Sequence, residues 1–142
     1  MKRSNSGIER ELTPAGYRRV AIAQRFLALL TPIRTLSYYA TGLASIIENC
    51  SGALMRPAAV ELAARQLGLR VVGQGDSARI GVHSGDVGLA VAVLYPRALA
   101  LGHDVPKSYW YVARHQAELD RFTQRHHREL AELLDLVGEP TQ

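Results

Sequence analysis

Val87 to Leu101, VGLAVAVLYPRALAL, is the most apolar stretch of the chain, and Arg97 is its only charge. A run of this kind cannot sit on a surface, so the other elements must be arranged to cover it. Two readings compete. Leu89, Val91 and Val93 alternate as a half-buried strand would, which gives a strand from Gly88 to Leu94 followed by a short helix. Ser84-Gly85-Asp86 ahead of the run favours a helix instead. The serine can cap free backbone N–H groups, and the aspartate sits at the positive end of the dipole. Gly102 would close the helix at its far end. Pro96 removes a backbone donor and crowds the preceding turn. The pattern therefore predicts a helix kinked near Tyr95-Pro96.

Outward from this run, the composition sets limits. The chain has 142 residues, 47% of them hydrophobic and 6% aromatic. That suffices for one domain with an aliphatic core. Cys50 is the only cysteine, so no intrachain disulfide can form, which fits a reducing compartment. The polar start MKRSNSG predicts no secretory leader, and no run of about 20 apolar residues predicts a membrane span. A cytoplasmic protein without membrane contact is the expectation. Net charge is +4 and unevenly placed. Lys2, Arg3, Arg10, Arg18, Arg19, Arg25 and Arg34 face only Glu9 and Glu11 in the first 47 residues, so the basic excess lies in the N-terminal third. Such asymmetry suits an acidic partner, although a solvated basic surface produces the same pattern.

The remaining elements follow from local signals. Thr13-Pro14 predicts a helix to about Leu30, with Val20, Ala23, Leu27 and Leu30 as its apolar stripe. Arg18 and Arg25 lie on the opposite side. Thr31-Pro32 repeats the signal, and Leu36, Tyr39, Leu43, Ile46, Ile47 and Cys50 fall on one face of a second helix. On that face Cys50 reads as a buried structural thiol. A third helix runs from Pro57 to Gly68. Two short strands, Leu69 to Val72 and Ala78 to Val82, flank the turn GQGDS. A long last helix is predicted from Pro106 to Val137, with apolar residues at spacings of three and four. At about 32 residues it would be roughly 48 Å long, against a domain about 37 Å across. Such a helix must either break or project beyond the domain. Projection would leave Leu130, Leu133 and Val137 uncovered, and a homodimer seamed by Phe122, His126, Leu130, Leu133 and Val137 is the simplest cover.

Several constellations could carry function. Three helices followed by a hairpin is the order of a winged helix, with Arg70 and Arg79 flanking the wing. The helix in the reading position, PAAVELAARQLG, offers few polar groups to base edges. A helix–turn–helix across Ala98, Leu101, Gly102 and Val105 would use KSYWYVARHQ as its reader. His115 with Glu118 and His126 with Glu129 have the spacing of a bundle metal site, but the first helices lack inward carboxylates. ARIGVHSGDVG, residues 78 to 88, resembles the strand-and-turn segment of class III nucleotide cyclases. The upstream aspartate-bearing strand and the asparagine–arginine helix of that family are missing here, so no catalytic residue is carried over. Trp110, Tyr111 and Arg114 cluster in SYWYVARH, and exposed aromatics beside arginine are typical of binding hot spots.

The sequence thus predicts a mainly α protein (α+β minor), a bundle of about five helices with one short β-hairpin. Residues 1–12 are expected to form a flexible basic arm, 13–137 a single helical domain and 138–142 a loose tail. No nucleophile–base pair, phosphate loop or metal set is legible, so neither an enzyme nor a metal or other cofactor is expected. The expected function is regulatory or accessory binding of another protein or of nucleic acid, as an inhibitor or adaptor of nucleic-acid machinery. A direct DNA-binding regulator is the alternative. Arg18, Arg25, Trp110, Tyr111 and Arg114 are the candidate contacts.

Overall fold

The computed structural model of the chain describes residues 11–102 and 116–138. It is mainly α with a small sheet. The described helices are α1 (Pro14–Leu27), α2 (Ala40–Ser51), α3 (Pro57–Gln66), α4 (Ser84–Ala100), α5 (Gln116–Arg125) and α6 (His127–Val137). The strands are β1 (Tyr38–Tyr39), β2 (Val71–Val72) and β3 (Arg79–Ile80), with a 3-10 turn at Gly75–Ser77. The main helix contacts run from α1 to α3, α2, α4, α5 and α6 and return to α1, closing a ring around the core.

The apolar run is helical. It forms most of α4, with Val87, Ala90, Val91, Leu94 and Ala98 buried. The alternating residues that suggested a strand are therefore part of a broad buried helical face. Pro96 lies within the helix on an exposed position, where a lost donor costs least. The N-cap is His83 rather than Ser84: its Nδ1 accepts the Asp86 N–H at 3.3 Å. Residues 84–88 thus begin a helix and form no strand-associated turn.

Thr13 caps α1 as expected, its hydroxyl accepting the Gly16 N–H at 3.0 Å. Glu11, assigned by sequence to the loose arm, is fully buried and paired with Arg19 at 2.8 Å. Residues 1–10 and 139–142 lie outside the described part, and with them most of the proposed arm and tail.

The same Thr-Pro signal at residues 31–32 does not start a helix. Thr31 N–H donates to Asp86 Oδ2 at 2.7 Å, and Thr31 O accepts His83 N–H at 2.9 Å. Pro32 then bridges Val82. Partners in the turn before α4 and in its first turn thus hold the backbone extended, and α2 begins only at Ala40. Leu36 and Tyr39 consequently leave the predicted helical stripe. Cys50 remains on it, buried, and burial pushes its thiol up to about 12. A thiol so strongly protonated has the structural role predicted for it.

The predicted hairpin is two strands of a three-stranded antiparallel sheet in the order β1-β3-β2. Tyr38 and Val71 both pair with Ile80, and Tyr39 and Val72 both pair with Arg79. The first row faces the core, where Ile80 is fully buried, and the second faces outward.

The long last helix is also corrected, over the part that is described. Its backbone leaves helical geometry at His126, with φ −111° and ψ 25°, dividing it into α5 and α6. α5 packs on α4 and α6 on α1. Phe122, Leu130 and Leu133 are buried within one chain, while His126 and Val137 are half-buried. The seam assigned to a homodimer is thus largely covered by the chain's own helices, and the length argument for a second copy falls away. Among the described residues no helix is long and apolar enough to cross a membrane.

Candidate functional site

The two arginines singled out on α1 face α6. Arg18 donates to the Leu136 carbonyl at 2.8 Å, and Arg25 pairs with Glu132 at 3.2 Å. Both serve the closure of the helical ring. Trp110, Tyr111 and Arg114 lie outside the described residues, as does most of the proposed helix–turn–helix reader. His126 Nδ1 approaches Glu129 Oε1 at 4.0 Å, and His115 is outside. No group of three metal-ligating side chains occurs among the described residues.

A cavity of about 200 Å³ brings Arg18 and Arg97 together beside Ser51, Gly52 and Leu101. Arg97 donates to Ser51 O at 3.2 Å. Carbonyls at the C-terminal ends of α2 and α6 thus each take one N–H of these guanidinium groups, at the negative poles of those helices. Arg97 Nε is buried with no hydrogen-bond partner among the described residues.

The outward face of the sheet is different. Alternation along a strand places Tyr39, Arg79 and Val72 in one cross-strand row, while Tyr38, Ile80 and Val71 turn inward. All three outward residues are exposed, Tyr39 by 56%. Gly81 continues the outward side of β3, and its N–H donates to Arg70 O at 3.0 Å. A side chain at Gly81 would strike Ile33 O at 2.2 Å, so glycine is what lets residues 33–35 cross here. That crossing carries Arg34 to the same place, where Arg70 Nη1 donates to Arg34 O at 2.8 Å. Pro32, Ile33, Arg34, Gly68 and Arg70 line a groove of about 390 Å³.

Arg34, Arg70 and Arg79 are all exposed, and none has a carboxylate partner among the described residues. Of the other described arginines, Arg19 and Arg56 pair with Glu11, Arg25 with Glu132 and Arg65 with Glu61, while Arg121, Arg125 and Arg128 on α5 and α6 are exposed with no carboxylate partner among the described residues. The N–H groups of Arg34 and Arg79, and those Arg70 has left beside its bond to Arg34 O, can take phosphate or carboxylate oxygens. The neighbouring tyrosine ring can stack on a planar group.

The succession α1-β1-α2-α3-β2-β3 contains the three helices and hairpin noted in the sequence as a winged-helix order, with β1 added between the first two helices and β3 central in the sheet. The helix in the reading position, α3, is largely enclosed. Ala58, Ala59, Val60, Glu61, Ala63 and Ala64 are buried against its neighbours. Of its exposed polar residues, Arg65 holds Glu61 and the Gly73 carbonyl, and Gln66 bonds to Gln24.

Sequence reasoning had placed Arg70 and Arg79 beside the wing. It missed Arg34 and Tyr39, because β1 was absorbed into a helix. The Tyr38-Tyr39 doublet, favourable in strands, was the available signal. No family model, curated protein or solved structure matched the chain.

Proposed function

We propose that the chain is a non-enzymatic regulatory protein that acts by binding a macromolecular partner, and that this partner is nucleic acid. The observation that carries the reading is the outward sheet face, where Arg34, Arg70 and Arg79 are exposed with no carboxylate partner among the described residues. Phosphate is the ligand that rewards several guanidinium groups on one surface, through charge-assisted hydrogen bonds and counterion release. The winged-helix order of the elements supports the same reading. A cytoplasmic setting goes with it.

A second reading, an adaptor or inhibitor that binds a protein, draws support from α3. With α3 enclosed, Tyr39, Val72 and the arginines also suit an acidic protein surface.

Fluorescence anisotropy of generic labelled oligonucleotides, titrated with the full chain at several salt concentrations, tests the choice. Micromolar or tighter binding that weakens with salt supports the nucleic-acid reading. No binding at low salt removes it and leaves the protein partner.

A further inference from the structure

We infer that the outward face of the sheet is a platform for single-stranded nucleic acid, in which Tyr39 stacks on a base and Arg34, Arg70 and Arg79 hold the flanking phosphates. The inference rests on the nucleic-acid reading above and specifies its substrate.

Three observations support it. Sequence-reading of a duplex places a helix or a ribbon in the major groove, and the helix that would occupy it here is buried on nearly every side. Its outward Arg65 and Gln66 are engaged within the chain. Among the described residues, α3 therefore offers a duplex no free reading face.

Tyr39 is the second. It is a large ring, 56% exposed, on a short strand whose other tyrosine turns toward the core. In a duplex the base faces are already stacked on one another. In a single strand they are open, and an aromatic ring on a sheet is the surface that takes them.

The third is placement. Tyr39 and Arg79 are direct cross-strand partners, which places their Cβ atoms about 5 Å apart. A base lying on the Tyr39 ring has its own phosphate within reach of the Arg79 guanidinium. Val72 completes the row on the far strand and offers an apolar edge to the next base. Arg70 lies one position along β2's outward side from Val72, and Arg34 stands above it on the crossing segment. The basic groups thus continue along one side of the aromatic ring, as a backbone track requires. The groove of about 390 Å³ between Arg34 and Arg70 extends that track past the sheet.

The test compares a labelled single strand of about twelve nucleotides with a duplex of equal length, each titrated with the full chain by anisotropy. Single-strand binding at least about tenfold tighter is expected. Tyr39→Ala should weaken the single strand by about tenfold or more while leaving the salt dependence unchanged. Tyr39→Phe, which keeps the ring, should bind as the parent does. Arg79→Ala and Arg34→Ala should weaken binding and make it less salt-dependent. Circular dichroism checks that these surface variants remain folded. Equal or tighter duplex binding, or an unaltered affinity for Tyr39→Ala, overturns the single-strand platform while the nucleic-acid reading stands. If neither oligonucleotide binds and an acidic polypeptide such as polyglutamate does, both fall and the surface belongs to a protein partner.

Discussion

Glu61 Oε1 accepts the backbone N–H of Gly75 at 2.8 Å, while its Oε2 accepts Arg65 Nε at 3.0 Å. The carboxylate is 1% exposed and comes from the centre of α3. It therefore ties the turn between β2 and β3 to the most enclosed helix of the fold. Arg65 adds a second tie by donating to the Gly73 carbonyl at 2.8 Å. The wing, and with it the position of Val72 and Arg79, is held from beneath by one buried acid.

Glu61→Ala should consequently lower stability by about 2–3 kcal/mol, because it strands the Gly75 donor and leaves a hole under the turn. Urea denaturation measures this. Glu61→Gln keeps an oxygen for Gly75 and should recover part of the loss. A cost below about 0.5 kcal/mol for the alanine variant would show that Glu61 does not anchor the turn.

Cys50 makes a pH-dependent prediction. Its thiol pKa is pushed up to about 12 by burial, from a value of 9.0 when exposed. The folded state therefore binds the proton more tightly than the unfolded state does. The associated stability is complete below pH 9, and is lost as pH rises from 9 toward 12. The stability gap between the parent chain and Cys50→Ala should therefore narrow over that window. In the native protein the thiol should resist alkylation at neutral pH and react freely once unfolded. Rapid alkylation of the native chain would place Cys50 at the surface.

Leu133 makes a prediction about the closure of the ring. It is 2% exposed within one chain, on the helix that packs against α1. Leu133→Ala should lower stability by about 2–5 kcal/mol. The loss should be the same at every protein concentration, because the cavity opens inside a single copy. A melting temperature that fell only on dilution, with the fold otherwise intact, would instead assign Leu133 to a contact between copies.

What was legible in the sequence depended on how local the deciding interaction is. Thr13-Pro14 marked α1 correctly because its cap is made three residues away, at Gly16. Thr31-Pro32 carried the same letters and was overruled by Asp86, 55 residues further on. Once residues 31–39 were read as helix, β1 disappeared, and Tyr39 and Arg34 disappeared from the candidate site with it. The length of the last helix called for a break or a projection, but the position of the break at His126 was equally invisible, since the hydrophobic spacing continues through it; there the chain passes from packing on α4 to packing on α1. Arg70 and Arg79 were recognisable beside the wing because a turn rich in glycine identifies its own flanks. The preference for Arg18 and Arg25 followed their charge, and their partners on α6 could not be read from α1 alone.

The location of the binding surface can be read directly by following backbone amide resonances of the isotope-labelled full chain as a single-stranded oligonucleotide of about twelve residues is added. The amides of Tyr39, Arg70, Val72, Arg79 and Arg34 should move together and saturate, while those of Ala58 to Ala64 in α3 stay in place. Movement centred on α3 or on the α1–α6 contact, with the sheet silent, would contradict the assignment of this face as the site.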